Sequence, residues 1–311
     1  MSHPEGDISW QLLRRIVQDW AGTSAELAEV TPLDGGSIST TLLLTLRDNA
    51  RAVLKLSTYR VDRSYESEAH NLDLLRSLGI PTPKVHQCVI GTLEDPNSYL
   101  LMEFMPGIDL NTAKVNCSTE QFDELQQHLA TLVCAMHSDT SPAYGRVIPD
   151  GVTTSDDWPQ FFQQVYEPTW NEAKKMECIP NKSRKMLGRL FERLDRFITH
   201  SDVPRLVHWD LWASNLLCAP DDDGKWRITA VLDPICKYAH AEAELAYLDL
   251  FHTTNAAFNK AYQQHFKLDE GYHRVRKPIY QLYPLMNHVC TFGNEYVKPM
   301  LAMIDRITPM I

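Results

Sequence analysis

The chain has 311 residues, of which 44% are hydrophobic and 23% charged, with a formal net charge of -10. The length leaves room for two lobes, each with its own core, and the composition is that of an ordinary globular protein. The acidic balance argues against a nucleic-acid binder, which carries a basic surface, and suits a cationic small substrate, while no apolar run approaches the roughly 18 residues of a membrane span.

The opening Met-Ser-His-Pro-Glu-Gly-Asp is polar and acidic and carries no signal-peptide pattern. Seven cysteines, none in a Cys-x-x-Cys pair, predict reduced thiols and no zinc site, so a cytoplasmic location is expected. Ile8, Leu12, Leu13, Ile16, Val17 and Trp20 recur at helical spacing and predict an amphipathic helix. From Val30 to Leu46 the pattern turns β-like, broken at Asp34-Gly35-Gly36-Ser37. Leu42–Leu46 and Ala52–Leu56 read as two strands joined by a turn at Asp48-Asn49. Tyr65–Leu78 reads as a helix ended by Gly79, and a further strand pair closes on Tyr99–Phe104. Met105-Pro106-Gly107 is the natural seam between two lobes. The expected division is a nucleotide-binding lobe, 1–104, and a catalytic and substrate lobe, 105–311. Beyond the seam the chain turns mostly helical. Ser118–His137 reads as a helix with a capping box from Ser118 to Gln121. Trp158–Ile179, stopped by Pro180, and Ser183–His200 read as two more. A strand pair at 206–218 and 226–233 interrupts them before helices resume at Ala241.

That strand pair carries the chemistry. It reads Leu-Val-His-Trp-Asp-Leu-Trp-Ala-Ser-Asn from Leu206 and closes on Leu232-Asp233-Pro234. Phosphoryl transfer from ATP needs a carboxylate beside the acceptor hydroxyl, and an amide with a second carboxylate to hold magnesium. Asp210 is the candidate base. Asn215 and Asp233 are the candidate Mg2+ ligands. Singly, each has a structural explanation: a turn residue, a loop cap, a strand end before proline. Their order and spacing together carry the functional reading. His208 is expected to brace the loop.

Upstream, Lys55 alternates with apolar neighbours in Ala-Val-Leu-Lys-Leu and would reach the α- and β-phosphates of ATP, or would simply face solvent. Glu68 would pair with it and hold it extended, with Glu66 as competitor. Gly35 and Gly36 would let backbone amides approach phosphate oxygens, with Ser37 and Ser39 adding hydroxyls, although a Gly-Gly pair also suits any hairpin. The missing Gly-x-x-x-x-Gly-Lys-Ser/Thr excludes a P-loop NTPase. Glu103 and Met105, at the seam, would offer backbone groups to the adenine edge, or would simply end an apolar strand.

These residues resemble the small-molecule branch of the protein-kinase-like fold, the aminoglycoside phosphotransferase superfamily. Within it the chain is similar to the fructosamine kinase (ketosamine-3-kinase) family. Asp210-Leu211-Trp212-Ala213-Ser214-Asn215 fits that family's His-Gly-Asp-Leu-Trp-x-x-Asn, with Trp209 in place of the glycine. Tyr238–Ala246 resembles its Tyr-Gly-His-x-Glu-Ala-Asp-Leu-Ala, with Glu244 in place of the aspartate. Leu268–Tyr272 and Leu285–His288 resemble two further motifs. The resemblance implies an α+β, bilobal fold with a small antiparallel-sheet lobe and a larger helical lobe. It implies an ATP- and Mg2+-dependent kinase acting on a sugar or amino-sugar hydroxyl, foremost that of a ketoamine. It makes Trp212 and His288 substrate-side candidates, each with a packing alternative. An aminoglycoside or other amino-alcohol phosphotransferase is the neighbouring reading. A catalytically silent nucleotide-binding protein, suggested by bulky Trp209, is the reading from another class. Partners other than a small molecule, nucleic acid and membranes included, are not expected.

Overall fold

The computed structural model describes residues 8–33, 40–57, 63–199 and 202–310. They form two compact units, Met1–Gly107 with Thr229–Asp233, and Ile108–Ile228 with Pro234–Ile311. The chain thus leaves the first unit at Gly107, the last residue of the expected seam Met105-Pro106-Gly107, and re-enters it once.

In chain order the first unit holds α1 (Trp10–Ala21), β1 (Leu27–Pro32), β2 (Thr40–Leu46), β3 (Arg51–Ser57), α2 (Ser64–Ser77), β4 (Val85–Val89) and β5 (Ser98–Glu103). The strands make one antiparallel sheet in the order β1-β2-β3-β5-β4. Ser9 caps α1 by accepting the Gln11 N–H. The buried stripe of α1, Leu12, Leu13, Ile16 and Val17, packs on Leu42, Leu44, Leu54 and Leu56. Strand alternation sends Val53 and Lys55 to the opposite face, where Leu100 and Met102 meet Tyr65 and Leu72 of α2. The turn at Asp48-Asn49 forms as expected, with Asn49 at φ 68° and the Asp48 carboxylate accepting the Ala50 N–H. The returning segment is stitched to this unit by Thr229 Oγ1 donating to the Pro106 carbonyl and the Val231 N–H to that of Pro81, at 3.1 and 2.7 Å.

The second unit begins with β6 (Ile108–Asp109), α3 (Leu110–Asn116), α4 (Thr119–Ser138), β7 (Gly145–Ile148), β8 (Gly151–Val152), α5 (Trp158–Ala173), α6 (Asn181–Phe191) and α7 (Leu194–Phe197). It continues with β9 (Arg205–Val207), β10 (Leu216–Pro220), β11 (Trp226–Val231), β12 (Lys237–Ala239), α8 (Ala241–Leu250), α9 (Ala256–Tyr262), α10 (Lys277–Phe292) and α11 (Val297–Ile307). β11 runs on into the first unit. One small sheet has the order β11-β10-β6, and a second the order β8-β7-β12-β9. The capping box at Ser118 forms: its hydroxyl accepts the Gln121 N–H, and Gln121 returns the bond to the Ser118 N–H.

Three expectations change. The helix from Trp158 runs through Pro168 and ends at Ala173, where the Met176 N–H turns to the Ala173 carbonyl and the Ile179 N–H to that of Met176, burying Ile179. The next helix splits into α6 and α7 at Glu192-Arg193, where the Arg193 N–H turns to the Leu190 carbonyl, while Leu190, Leu194 and Ile198 stay buried across the break. The strand expected over 206–218 is two strands separated by a loop, 208–215, that holds the polar motif. Among the described residues no helix is long and apolar enough to cross a membrane.

Candidate active site

The first unit contributes a cation held by two carboxylates. Lys55 Nζ lies 2.6 Å from Glu68 Oε1 and 2.5 Å from Asp233 Oδ1. Lys55 reaches Glu68 because alternation in β3 points it to the α2 face. Burial works to lower its pKa, but the two carboxylates outweigh that and hold it above the ordinary lysine value. Glu66 instead pairs with Arg63 on the exposed side of α2. Asp233 sits at φ 57°, in the left-handed region, as the returning segment ends. Glu103 is exposed at the end of β5. Its N–H donates to the Lys84 carbonyl and its carboxylate accepts the Lys84 N–H. Met105 follows, half-buried, beyond Phe104, whose ring lies under the Arg51 guanidinium at 4.0 Å. Gly35, Gly36, Ser37 and Ser39 lie outside the described residues.

The second unit contributes a braced loop. β9 feeds into His208, which is fully buried; its Nδ1 accepts the Asp210 N–H at 3.2 Å and its carbonyl accepts the Ile235 N–H. The Asn215 amide donates to the Asp210 carbonyl at 2.8 Å and to its Oδ2 at 3.2 Å. Asn215 therefore points its nitrogen at Asp210 and turns its oxygen away. Tyr247, on α8, donates its hydroxyl to Asp210 Oδ1 at 2.5 Å. Burial, and then the Asp210 charge, hold the Tyr247 pKa far above the ordinary tyrosine range, so its proton stays in place.

Glu244, one helical turn before Tyr247, braces the same loop. Its Oε1 accepts the Trp209 N–H at 2.9 Å and its Oε2 meets His137 Nε2 at 2.9 Å, while His137 Nδ1 meets the Tyr262 hydroxyl. Its side chain is fully buried. Burial pushes its pKa up, yet the His137 hydrogen bond, with the other partners, brings it below the usual 4.5.

Trp212 is 39% exposed on the loop surface, with its backbone N–H donating to the Asp210 carbonyl. His288 is half-buried on α10. Its ring lies 4.8 Å from Phe251, 5.2 Å from Phe292 and 4.8 Å from Tyr296, and burial lowers its pKa. Phe251 packs in turn against Tyr247 in a tilted contact at 4.7 Å, so an aromatic run leads from His288 to the partner of Asp210. Sequence reading missed Tyr247 and Lys237. The signal for Tyr247 was its three-residue offset from Glu244 on a helix, which places both on one face.

Among the described residues no three His, Cys, Asp or Glu side chains make a ready metal cage. Asp233, in the first unit, and Asn215, in the second, each carry a hard oxygen of the kind Mg2+ takes, and Mg2+ keeps water and substrate oxygens as its remaining ligands.

The model of the fructosamine kinase family matches residues 9–310. The chain is 26% identical over 305 residues to YniA of Escherichia coli (strain K12), named a probable ketoamine kinase, covering 96% of this chain and 99% of that one. The fold is shared with a Thermobifida fusca protein assigned as a fructosamine-3-kinase (TM-score 0.75, 24% identity, 96% and 98% coverage). It is shared too with a thermostable mutant of aminoglycoside phosphotransferase APH(4)-Ia bound to AMP-PNP and hygromycin B (TM-score 0.69, 17% identity, 94% and 98% coverage).

Proposed function

This chain belongs to the fructosamine kinase family, and we propose that it transfers the γ-phosphoryl group of ATP to a sugar hydroxyl of a ketoamine. The observation that carries the reading is Asp210, fixed by Tyr247 on one oxygen and by Asn215 on the other. A carboxylate so held cannot rotate away. It orients an acceptor hydroxyl and takes its proton as the oxygen attacks phosphorus. Lys55, held by Glu68 and Asp233, supplies a fixed positive charge for the α- and β-phosphates. Asp233 and the Asn215 oxygen would hold Mg2+, which when bound neutralises charge on the phosphate oxygens. Trp212 offers an exposed face to a sugar ring or its amine.

Asp210→Asn tests the base. Purified variant and wild type are given Mg-ATP and a panel of ketoamines, and products are read by mass. Asp210→Asn is expected to lose transfer by about two orders of magnitude or more, while thermal unfolding still rises with Mg-ATP. Equal turnover by the variant would remove Asp210 from the mechanism. A wild type stabilised by Mg-ATP that phosphorylates nothing on the panel would leave the silent nucleotide-binding reading in its place.

A further inference from the structure

Trp209 stands where the family pattern carries glycine, and its backbone takes φ 73°. That is the left-handed region, which a bulky L side chain rarely enters and which persists only where the surroundings enforce it. Both amides that flank its α-carbon are held. Its own N–H donates to Glu244 Oε1 at 2.9 Å, and the N–H of Asp210, on the other side, donates to His208 Nδ1 at 3.2 Å. The indole is held as well, with Lys237 Nζ of β12 lying 4.4 Å from its ring centroid. Asp210 is the next residue, so the torsions fixed at Trp209 set the direction in which the side chain of the base leaves the loop.

Glu244 is gripped from behind. Its second oxygen, Oε2, meets His137 Nε2 at 2.9 Å, and His137 Nδ1 meets the Tyr262 hydroxyl at 2.8 Å. The side chains of His137 and Glu244 are fully shielded from solvent, and Tyr262 is buried with them. The Glu244 carboxyl is held ionised, so it only accepts, and the proton of its bond to His137 sits on Nε2. The bonds thus run from α9 through α4 and α8 to the loop, all within the second unit.

The terminal torsion of a glutamate is soft. A carboxylate bound at one oxygen can turn about it, whereas one bound at both presents each oxygen in a single direction. His137 supplies that second bond. Glycine enters the left-handed region at no steric cost, so a loop with glycine at this position needs no such enforcement, and a loop with tryptophan does.

We propose that His137 is a positioning residue for phosphoryl transfer, which fixes the Glu244 carboxylate and so keeps Trp209 left-handed and Asp210 aimed. This rests on the kinase reading above, with Asp210 as the base.

The test uses the full chain as wild type, His137→Leu, His137→Gln, Tyr262→Phe, Trp209→Gly, and the doubles of His137→Leu and of Tyr262→Phe with Trp209→Gly. Each is assayed with Mg-ATP and the ketoamine that wild type turns over fastest, at a temperature where circular dichroism shows it folded. His137→Leu is expected to lower kcat by roughly tenfold to a hundredfold, the scale of a misplaced catalytic group, with KM for ATP and for the acceptor unchanged. His137→Gln keeps a donor for Glu244 and should recover most of that loss. Tyr262→Phe deletes one oxygen and should lower kcat in the same way but by less; should His137→Leu not fold, this variant carries the test. With glycine at 209 the loss of His137, or of the Tyr262 hydroxyl, should cost less by a factor of roughly three or more, since members of one network couple. An unmoved kcat, or a loss that appears in KM instead, overturns the positioning role. Equal losses with tryptophan and with glycine at 209 overturn the link to the left-handed backbone. Wild type that phosphorylates no ketoamine brings down the kinase reading, and this proposal with it; an active wild type matched by the variants brings down this proposal alone.

Discussion

Asp210 is held by two hydrogen-bond donors, Tyr247 on one oxygen and Asn215 on the other. Tyr247 donates a hydrogen bond from a buried hydroxyl, and a bond to a charged group is worth about 1.5–3 kcal/mol. The bond restrains the carboxylate while leaving its charge intact. Tyr247→Phe is therefore expected to lower kcat by roughly tenfold to a hundredfold with little change in KM for ATP. Steady-state kinetics at saturating acceptor would read this, and an unchanged kcat would show that Asn215 alone fixes the base. Asp210, Asn215 and Asp233 were legible in the sequence because their spacing is local and chemically specific. Tyr247 and Lys237 were not. Each reaches the loop from a separate element, and only packing brings them there. The choice of Glu68 over Glu66 followed from the apolar spacing of α2, which decides the face each residue shares.

At the scale of elements, α8 is the frame on which the loop hangs. Ala241 to Ala246 are all buried, and Glu244 and Tyr247 project from one face to adjacent residues, Trp209 and Asp210. Removing one member of such a buried pair costs about 3–5 kcal/mol, so Glu244→Ala is expected to destabilise the fold by that amount in urea titration. The pH dependence follows from the lowered pKa of Glu244. Its contribution is complete above the ordinary carboxylate value of 4.5 and is lost as pH falls through the folded-state value. Unfolding free energy measured from pH 7 downward should fall less steeply in Glu244→Gln than in wild type; parallel curves would show that other groups set the acid limb. The elements best read from sequence were α1, α2, α4 and the five strands of the first unit, where period and burial agree. The helices after Trp158 were read too long. Apolar spacing continues across the turns at Lys174 and Arg193, because both sides of each turn bury residues in the same unit.

For the molecule as a whole, folding and nucleotide binding are linked by mass action. A ligand at a hundred times its Kd adds about 2.7 kcal/mol to stability, so Mg-ATP should raise the unfolding temperature by several degrees. In Lys55→Met the shift should shrink, since Glu68 and Asp233 then face phosphate without the cation that balances them. Scanning calorimetry with and without Mg-ATP measures the difference, and a full-sized shift in the variant would take Lys55 out of phosphate binding. The α+β class and family were readable from a few short motifs between His208 and His288, whereas the composition of the first unit was not. It includes Thr229–Asp233, and a return of that kind leaves no mark in hydrophobic period.

That return has a consequence for biosynthesis. Lys55 and Glu68 leave the ribosome early, but the second carboxylate for the lysine is translated only after Ile108–Ile228. At about 5–20 residues per second, the first unit spends on the order of ten seconds as a nascent chain with its sheet complete and its cation half-neutralised. A fragment ending at Gly107 would be arrested at that stage. The two units are thus unequal as folding modules: the earlier one is finished by a piece of chain made late.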